Sequence, residues 1–212
     1  MKYIEKTTIP SFFIDDTKDL NSWNDYFANK KRDLKKYILE NEQNNLCGYC
    51  ESKVVIDNSH LEHIKPKSLD EENLTFNYNN IIVSCEGRCH TLSNIPESCG
   101  HKKDNEFDEA LFLNPTLLQN IREYFIYTNN GEIKSSILDE SKSSYTITLL
   151  QLNTFNNNLQ EARKKSLIEF RNSVISHAKA TGQELKEIAQ ILLNKEDLAF
   201  ISFLRFQYKH IL

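Results

Sequence analysis

Apolar residues between positions 19 and 42 recur at the spacing of an amphipathic helix. The stripe they form consists of Leu20, Trp23, Phe27, Leu34 and Ile38. Lys30 or Lys31 fills the one turn that lacks an apolar residue. The pattern predicts a helix over about 19–42. Asn44-Asn45 favours its end, because asparagine tolerates helix-terminating conformations.

The segment from Cys47 to about Asn105 carries short β-branched runs in place of helical periodicity. Val54-Val55-Ile56 and Ile81-Ile82-Val83 predict two strands. A polar loop containing residues 71–73 lies between them. Residues 87–98 show no sustained period and predict an insertion, and a short helix is expected to begin near His101.

The last part of the chain predicts a hairpin followed by helices. Asn129-Asn130-Gly131 separates two apolar runs and is a strong hairpin signal. From Thr146 the apolar residues return to helical spacing, which predicts a long helix. The capping-box pattern Thr181–Glu184 predicts a second helix, and residues 198–211 predict a third. We expect three regions, 1–45, 46–106 and 107–212, that pack as one unit.

The composition limits the class of protein. Of the 212 residues, 39% are apolar and 26% are charged, as in soluble globular proteins. No apolar run approaches about 18 residues, so no membrane span is expected. The first residues lack the apolar core of a secretory signal, which predicts a cytoplasmic protein.

The charge balance constrains any role on nucleic acid. The net charge is -4, and residues 45–105 contain six Lys or Arg against nine Asp or Glu. Phosphate binding normally depends on lysine and arginine, so a metal ion, a local basic face or a partner would have to supply the attraction. The first predicted helix carries such a face, with Lys30, Lys31, Arg32, Lys35 and Lys36. A solvated helix face is the commoner outcome for such a run.

The cysteines predict a metal site. Five cysteines without an export signal argue against disulfides, because cytosolic thiols are kept reduced. Cys47 and Cys50 have C-x2-C spacing, which lets two thiols reach one tetrahedral ion, and Gly48 eases the turn between them. The alternative is that a cysteine is only a small buried apolar residue, an interpretation that applies most readily to Cys89.

Glu62-His63 offers the chemistry of phosphodiester hydrolysis. The reaction needs a nucleophilic water and an ion that takes up charge on the phosphate and the leaving oxygen. Glu62 would bind a hard cation such as Mg²⁺ or Mn²⁺ through oxygen. His63, neutral near pH 7, would take the proton from water. His60 is a competing base, ranked second because His63 directly precedes the Ile64-Lys65-Pro66 turn.

These motifs, in this order, resemble an HNH endonuclease. The resemblance lies in Glu62–Pro66, Asn80–Cys85 and Cys99–Lys103, with Cys47 and Cys50 ahead of them as in the zinc-binding version. It implies an α+β fold, in which a ββα-metal module with structural zinc is embedded in a mostly helical body. Scattered residues outside the motifs are similar to the HNH nuclease subunit of Septu-type and retron-associated anti-phage systems.

The resemblance also implies roles for individual residues. His63 matches the general base, Glu62 the metal ligand beside it, and Asn80 the residue that props the loop bearing the base. The structural Zn²⁺ ligands would be Cys47, Cys50, Cys85 and Cys99. Cleavage with one catalytic metal would leave a 5′-phosphate and a 3′-hydroxyl.

The third motif departs from the common pattern, because Gly100 stands where many members carry Asn or His. His101 is therefore the candidate for the last catalytic-metal ligand, with Asn105 as the alternative. In a rival alignment, Cys89 and His90 replace Cys99 and His101. The later pair is preferred because Lys102-Lys103 follows it.

Two functions are open on the sequence. The first is a metal-dependent DNA endonuclease acting in an anti-phage complex with an ATPase of the SMC or ABC type, with a retron RNA/DNA complex as a further candidate partner. The second is a non-catalytic zinc module that binds nucleic acid or protein. The lysines expected to contact nucleic acid are Lys65, Lys67, Lys102 and Lys103.

Overall fold

The structure is a computed structural model that describes residues 1–69, 74–88, 98–153 and 158–212. The α-helices of this part of the chain are α1 (Ser11–Thr17), α2 (Ala28–Asn41), α3 (Cys99–Lys103), α4 (Glu140–Leu149), α5 (Leu159–Thr181), α6 (Leu185–Asn194) and α7 (Ile201–Gln207). The strands are β1 (Ser59–His63), β2 (Ile81–Cys85), β3 (Phe125–Tyr127) and β4 (Ile133–Ser135). The predicted α+β architecture is confirmed, and no helix of the described segments has the length and apolar character to cross a membrane.

The strand pair β1–β2 lies in the buried core and carries several of the candidate site residues. The two strands are antiparallel, with Ser59 opposite Cys85 and His63 opposite Ile81. Every residue of β2 is buried, and α2 packs on the pair through its buried face. The side-chain amide of Gln43, just after α2, accepts from the Val83 N–H at 2.7 Å and donates to the Val83 carbonyl at 2.8 Å. Gln43 therefore pairs with β2 much as a neighbouring strand would.

Two predicted elements have different bounds in the structure. The helix expected over 19–42 begins only at Ala28, because the Ser22 hydroxyl caps a short 3₁₀ turn at Trp23–Asp25 and Phe27 is extended. The strand expected at 54–56 was wrong. There Asn58 Oδ1 accepts from the Val55 N–H at 2.7 Å and the Ser59 hydroxyl donates to the Val55 carbonyl at 2.7 Å, which closes a turn. The strand forms directly after it, as β1.

The predicted hairpin and C-terminal helices are present. β3 and β4 are antiparallel, and Gly131 between them has φ +79°, which glycine adopts without strain. The helix predicted after the long helix is present as α6, but the predicted capping box at its start is not. Thr181 is the last residue of α5, Gly182 ends that helix with φ +71°, and α6 starts without a side-chain cap.

The C-terminal helices are tied to the cysteine turn. Glu51, directly after Cys50, has φ +64° and its carbonyl accepts from the Phe200 N–H at 2.8 Å. Its carboxylate accepts from the Ser202 N–H, also at 2.8 Å. Buried apolar residues from all three predicted regions form one cluster. The start of α7 therefore buttresses the loop that carries the first two thiols.

Candidate metal centre and nuclease site

Four thiols from three segments meet at one buried point. Cys47 and Cys50 lie on the turn after α2, Cys85 ends β2 and Cys99 begins α3. All four are buried and free of disulfides, and their sulfurs lie within 4.8 Å of one another. Sulfurs about 2.3 Å from a tetrahedral zinc are about 3.8 Å apart, and the Cys50 and Cys85 sulfurs are 3.9 Å apart. The cluster has the size and chemistry to hold one metal ion.

The electrostatics of this cluster favour a thiolate. Burial alone would raise the pKa of Cys47, but hydrogen bonds from Cys50, Cys85 and Cys99 lower it well below the usual range. The Cys85 N–H also donates to the Cys47 sulfur at 3.3 Å. The pKa of Cys99 is raised, chiefly by its hydrogen bonds with Cys47 and Cys50. Because metal ligands must be deprotonated, binding of a cation here would release the remaining protons. The alternative residues Cys89 and His90 lie outside the described residues.

His63 ends β1 with its imidazole fixed on two sides. Its Nε2 lies 2.8 Å from the Thr75 carbonyl, and because a carbonyl only accepts, Nε2 carries the proton. Its ring meets Trp23 edge-on, with the ring centroids 4.5 Å apart. Burial lowers the pKa of His63 to about 4. The ring is therefore neutral near pH 7 and keeps a lone pair on Nδ1.

Asn80 closes the loop that follows His63. Its Oδ1 accepts from the Lys65 N–H at 2.8 Å, and its Nδ2 donates to the Lys65 carbonyl at 3.0 Å. The Asn80 carbonyl accepts from the Ile64 N–H at 2.9 Å. One buried amide thus fixes both backbone groups of Lys65, two residues after His63. The Asn80 side chain therefore restrains the backbone of the loop after His63.

Glu62 lies buried beside His63 in the chain, opposite Ile82 in the strand pair. Its Oε1 is 3.1 Å from the Lys103 ammonium and accepts from the Tyr49 hydroxyl at 3.3 Å. Its Oε2 is 3.4 Å from His60 Nε2. Burial would raise the pKa of Glu62, but His60 and Lys103 outweigh it and lower the pKa. The carboxylate is ionised, and Oε2 is the oxygen on the His60 side.

A second polar cluster adjoins Glu62 and contains His60, Glu86 and His101. One ligand atom from each of the three lies within 4.8 Å of the others. His101 Nε2 is 3.0 Å from Glu86 Oε2, and the two imidazole centroids are 3.8 Å apart. Both His60 nitrogens are buried without a well-formed hydrogen bond among the described residues. Imidazole and carboxylate groups in this number are suited to a divalent cation.

A cavity of about 130 Å³ connects these groups. Its walls include Glu62, His63, His101 and Asn105. Asn105 also accepts a hydrogen bond from the Ser68 hydroxyl at 3.3 Å. The structure thus brings the predicted base and all three candidate ligands of the catalytic metal to one opening.

Comparison with known proteins agrees with this arrangement. Residues 47–94 match the HNH family model, described as HNH endonuclease. A protein of Vibrio cholerae serotype O1 biovar El Tor, with the provisional name retron Vc95 HNH endonuclease, is 31% identical over 186 residues. The match covers 84% of this chain and 84% of that protein. The chain belongs to the HNH endonuclease family. The nuclease prediction is thereby confirmed, and the non-catalytic zinc module is not supported.

Gly100 is where this HNH nuclease departs from the common motif, and the structure gives the reason. A Cβ at this position would lie 2.6 Å from Glu62 Oε2 and 2.8 Å from His60 Nε2. Any side chain on residue 100 would enter the space beside the ends of Glu62 and His60. The gap is kept open by glycine, while His101 reaches the cavity from the next position.

We expect Gly100→Ala to weaken binding of a divalent ion more than it weakens the fold. The added methyl group must push aside the ends of the Glu62 and His60 side chains, which can shift more readily than backbone atoms. Groups that orient metal ligands typically change affinity by about 10- to 100-fold. Calorimetric titration with Mn²⁺ would measure the loss, with the melting temperature and the metal content of the purified protein as controls. Unchanged Mn²⁺ affinity would show that the space beside Gly100 is not used for the ion.

The four predicted phosphate-binding lysines occupy different environments. The structure argues against the predicted contact between Lys103 and nucleic acid. The Lys103 side chain is only 1% exposed and pairs with Glu62 inside the protein. It cannot contact a nucleic acid without breaking that pair. Lys65 pairs with Glu109 at 3.3 Å. Lys67 and Lys102 are exposed, and Lys67 also lines the His63 cavity.

The sequence reasoning did not identify several contributors to the site. Thr75 lies between two of the motifs, Glu86 directly follows Cys85, and Trp23 belongs to the apolar stripe of the first predicted helix. None of the three was expected to contribute to the site. His60 was considered as a base, whereas the structure places it between Glu62 and Glu86 with its pKa raised to about 9, despite burial, by those carboxylates. The alternation of side chains along a strand puts His60 and Glu62 on the same face, a signal that could have linked them.

Proposed function

We propose that this HNH nuclease is a metal-dependent DNA endonuclease in which His63 is the general base. The observation that carries the proposal is the tautomer of His63. Its Nε2–H is committed to the Thr75 carbonyl, so the remaining nitrogen can accept a proton from water. Among the described residues, Nδ1 has no hydrogen-bond partner. His63 and Glu62 also share one cavity.

A divalent ion, Mg²⁺ or Mn²⁺, fits the groups beside His63. Glu62 Oε2 and His101 would hold it, with His60 and Glu86 in reach and Asn105 as the alternative ligand. Both buried nitrogens of His60 lack a well-formed hydrogen bond among the described residues, which supports the fit, since buried polar atoms normally have one. The ion supplies Lewis-acid stabilisation of charge on the phosphate and the leaving oxygen.

The chain's own residues would perform the remaining tasks. His63 Nδ1 would take the proton as water attacks phosphorus, and the neutral ring is in the correct state for this step near pH 7. Asn80 and Thr75 would keep the imidazole aimed. Lys103 and Tyr49 would hold Glu62 in place. The expected products carry a 5′-phosphate and a 3′-hydroxyl.

The four-thiol cluster is proposed to hold structural Zn²⁺. Its ligands join the start of the module, the end of β2 and the start of α3, so one ion would fix the segments that carry Glu62, His63 and His101 relative to one another. A closed tetrahedral set of thiolates is typical of structural rather than catalytic zinc.

The biological setting is proposed to be anti-phage defence. The support is the similarity over 84% of the chain to a protein whose name refers to a retron. An ATPase partner of the SMC or ABC type, and a retron RNA/DNA complex, would then be the assembly in which the nuclease acts. Co-purification of such an ATPase with the tagged chain from its native host tests this part separately from the chemistry.

Plasmid cleavage with added Mg²⁺ or Mn²⁺ tests the catalytic proposal. Nicking or linearisation by the purified chain, with product ends that accept 5′-phosphate-dependent ligation, is the expected result. Cleavage of RNA with no cleavage of DNA would overturn the proposed substrate.

We expect Asn80→Ala to lower the cleavage rate by about 100-fold. Removing the amide frees the Lys65 backbone and loosens the loop after His63, and a displacement of about 1 Å at a reacting group costs about this factor. The fall should appear in kcat rather than KM. Asn79→Ala is the matched control, because Asn79 is the neighbouring, exposed asparagine. Equal rates for the two variants would contradict the propping role.

A further inference from the structure

A basic groove runs from α2 to the nuclease site. It is a cavity of about 560 Å³ between α2 and β1, whose lining includes Lys31, Arg32 and Lys35. His60 and Leu61 of β1 line both this groove and the smaller cavity that contains His63. The groove and the smaller cavity are therefore neighbours that share these two residues as a boundary. It lies largely outside the HNH module, on the helix that precedes it.

Two cations meet over one indole at the inner end of the groove. The Lys31 ammonium is 5.1 Å and the Lys67 ammonium 5.7 Å from the Trp23 ring centroid. Trp23 in turn contacts His63. Two lysines that are distant in the sequence are thus held beside the proposed base.

Neither lysine of this pair forms an ion pair with a residue in the described part of the chain. No carboxylate among the described residues lies within 4.0 Å of either ammonium. The pKa of Lys31 is lowered by burial and by the positive charge of Lys67. An anion bound near both ammonium groups would offset this cost to Lys31, because an opposite charge favours the charged form of a group. Phosphate is the anion that a nuclease must hold next to its base.

The outer part of the groove continues the positive charge. Lys35 follows Lys31 by one helical turn, and its ammonium donates to the Ser59 carbonyl. Arg32 pairs at 2.7 Å with Asp57, in an ion pair that is largely exposed on both sides. Exposed pairs of this kind contribute little to stability and exchange partners readily. By contrast, Lys36 of the same helix is absent from this groove and lines a separate cavity.

We propose that this groove binds the phosphate backbone of the DNA substrate and leads it to His63. The proposal rests on the proposed DNA endonuclease function and names the surface that holds its substrate. Lys31 and Lys67 would contact the phosphate nearest the base, and Lys35 and Arg32 would contact phosphates farther along the strand. Residues 45–105 contain more acidic than basic residues. The basic residues of α2, which precedes that segment in the chain, would then supply the positive charge that phosphate binding needs.

The test measures binding and cleavage on the same proteins. A fluorescent 20-base-pair DNA duplex of arbitrary sequence is titrated without added Mg²⁺ or Mn²⁺, at several salt concentrations from about 50 to 200 mM, and an RNA duplex of the same sequence is run in parallel. The variants are Lys31→Ala, Lys35→Ala and the double variant. Lys36→Ala is the matched control, with the same charge change on the same helix. Melting temperatures establish that each variant is folded.

The expected result is weaker DNA binding by Lys31→Ala and Lys35→Ala, several-fold for each at low salt. The slope of log K against log salt should fall in magnitude by about 0.9 for each phosphate that a variant no longer neutralises. Lys36→Ala should match the parent. A parent that does not bind DNA at about 50 mM salt, or groove variants with the slope of the parent, would overturn the groove proposal.

The same data separate this proposal from the proposed function. If the parent binds DNA through the groove lysines but cleaves no DNA with either metal, the catalytic proposal fails and the groove stands. If the parent cleaves while the groove variants bind and cut as it does, the groove fails and the catalytic proposal stands. Loss of RNA binding alone in the variants would overturn the assignment of the groove to DNA.

Discussion

His63→Ala should lower plasmid cleavage by about 100- to 10,000-fold, the range usual for loss of a positioned general base. In the proposed mechanism the neutral imidazole accepts the proton of water, and alanine has no group that could replace it. The initial rate of nicking with Mn²⁺ and with Mg²⁺ is the measurement. Zinc content and DNA affinity should remain those of the parent.

Two further variants make the His63 result specific. His63→Gln can keep a hydrogen bond to the Thr75 carbonyl and fill part of the space beside Trp23, so its loss of activity cannot be assigned to a collapsed pocket. His177→Ala removes an exposed histidine of α5 and should cleave at the parental rate. A His63→Ala protein that cuts as fast as His177→Ala would exclude His63 as the base.

Cys50→Ser should release the structural metal and unfold the module at 46–106. Metal binding to a set of four thiolates contributes folding free energy on the order of 10 kcal/mol in zinc-finger peptides, and most domains have a total stability of only about 5–15 kcal/mol. Metal analysis of the parent should give one zinc per chain, and the variant should give none. Circular dichroism and limited proteolysis would report the unfolding. A folded, metal-free Cys50→Ser protein would exclude the zinc staple.

Cys89→Ser is the control that decides between the two alignments of the third motif. The structure closes the four-thiol cluster with Cys99, so Cys89→Ser should keep one zinc and the parental melting temperature. Cys99→Ser should behave like Cys50→Ser. The opposite pattern would assign the fourth ligand to Cys89 and would remove the geometric basis for placing α3 beside the site.

Variants at the two proposed metal sites should also have different phenotypes. Loss of a thiol should abolish folding and activity together, whereas Gly100→Ala and Asn80→Ala should reduce function in a protein that remains folded. We expect this difference because the two groups of residues lie in different parts of the structure. The thiols join three segments of the core, so losing one affects the fold. The residues around Glu62 border a cavity, where a side chain can shift without disturbing the core.

The sequence by itself determined the family, the order of the motifs and the types of residue at the site. These conclusions rest on local patterns. The C-x2-C spacing indicates a metal site, Glu62-His63 predicts a metal ligand next to a base, and Asn-Gly predicts a hairpin. The β-branched run at 81–83 gave β2 for the same reason, since its residues fit a buried strand. The run at 54–56 misled because side chains of Asn58 and Ser59 close a turn there.

Only the tertiary structure decided which groups face one another. The antiparallel register and the helix after β2 place His60, Glu86 and His101 together, although 41 residues separate the first from the last. Packing turned Lys103 inward to pair with Glu62 and brought Lys31 to Lys67 over Trp23. Such pairings depend on register and on helix orientation, which are set by burial of the whole core. A sequence pattern with a range of a few residues does not contain them.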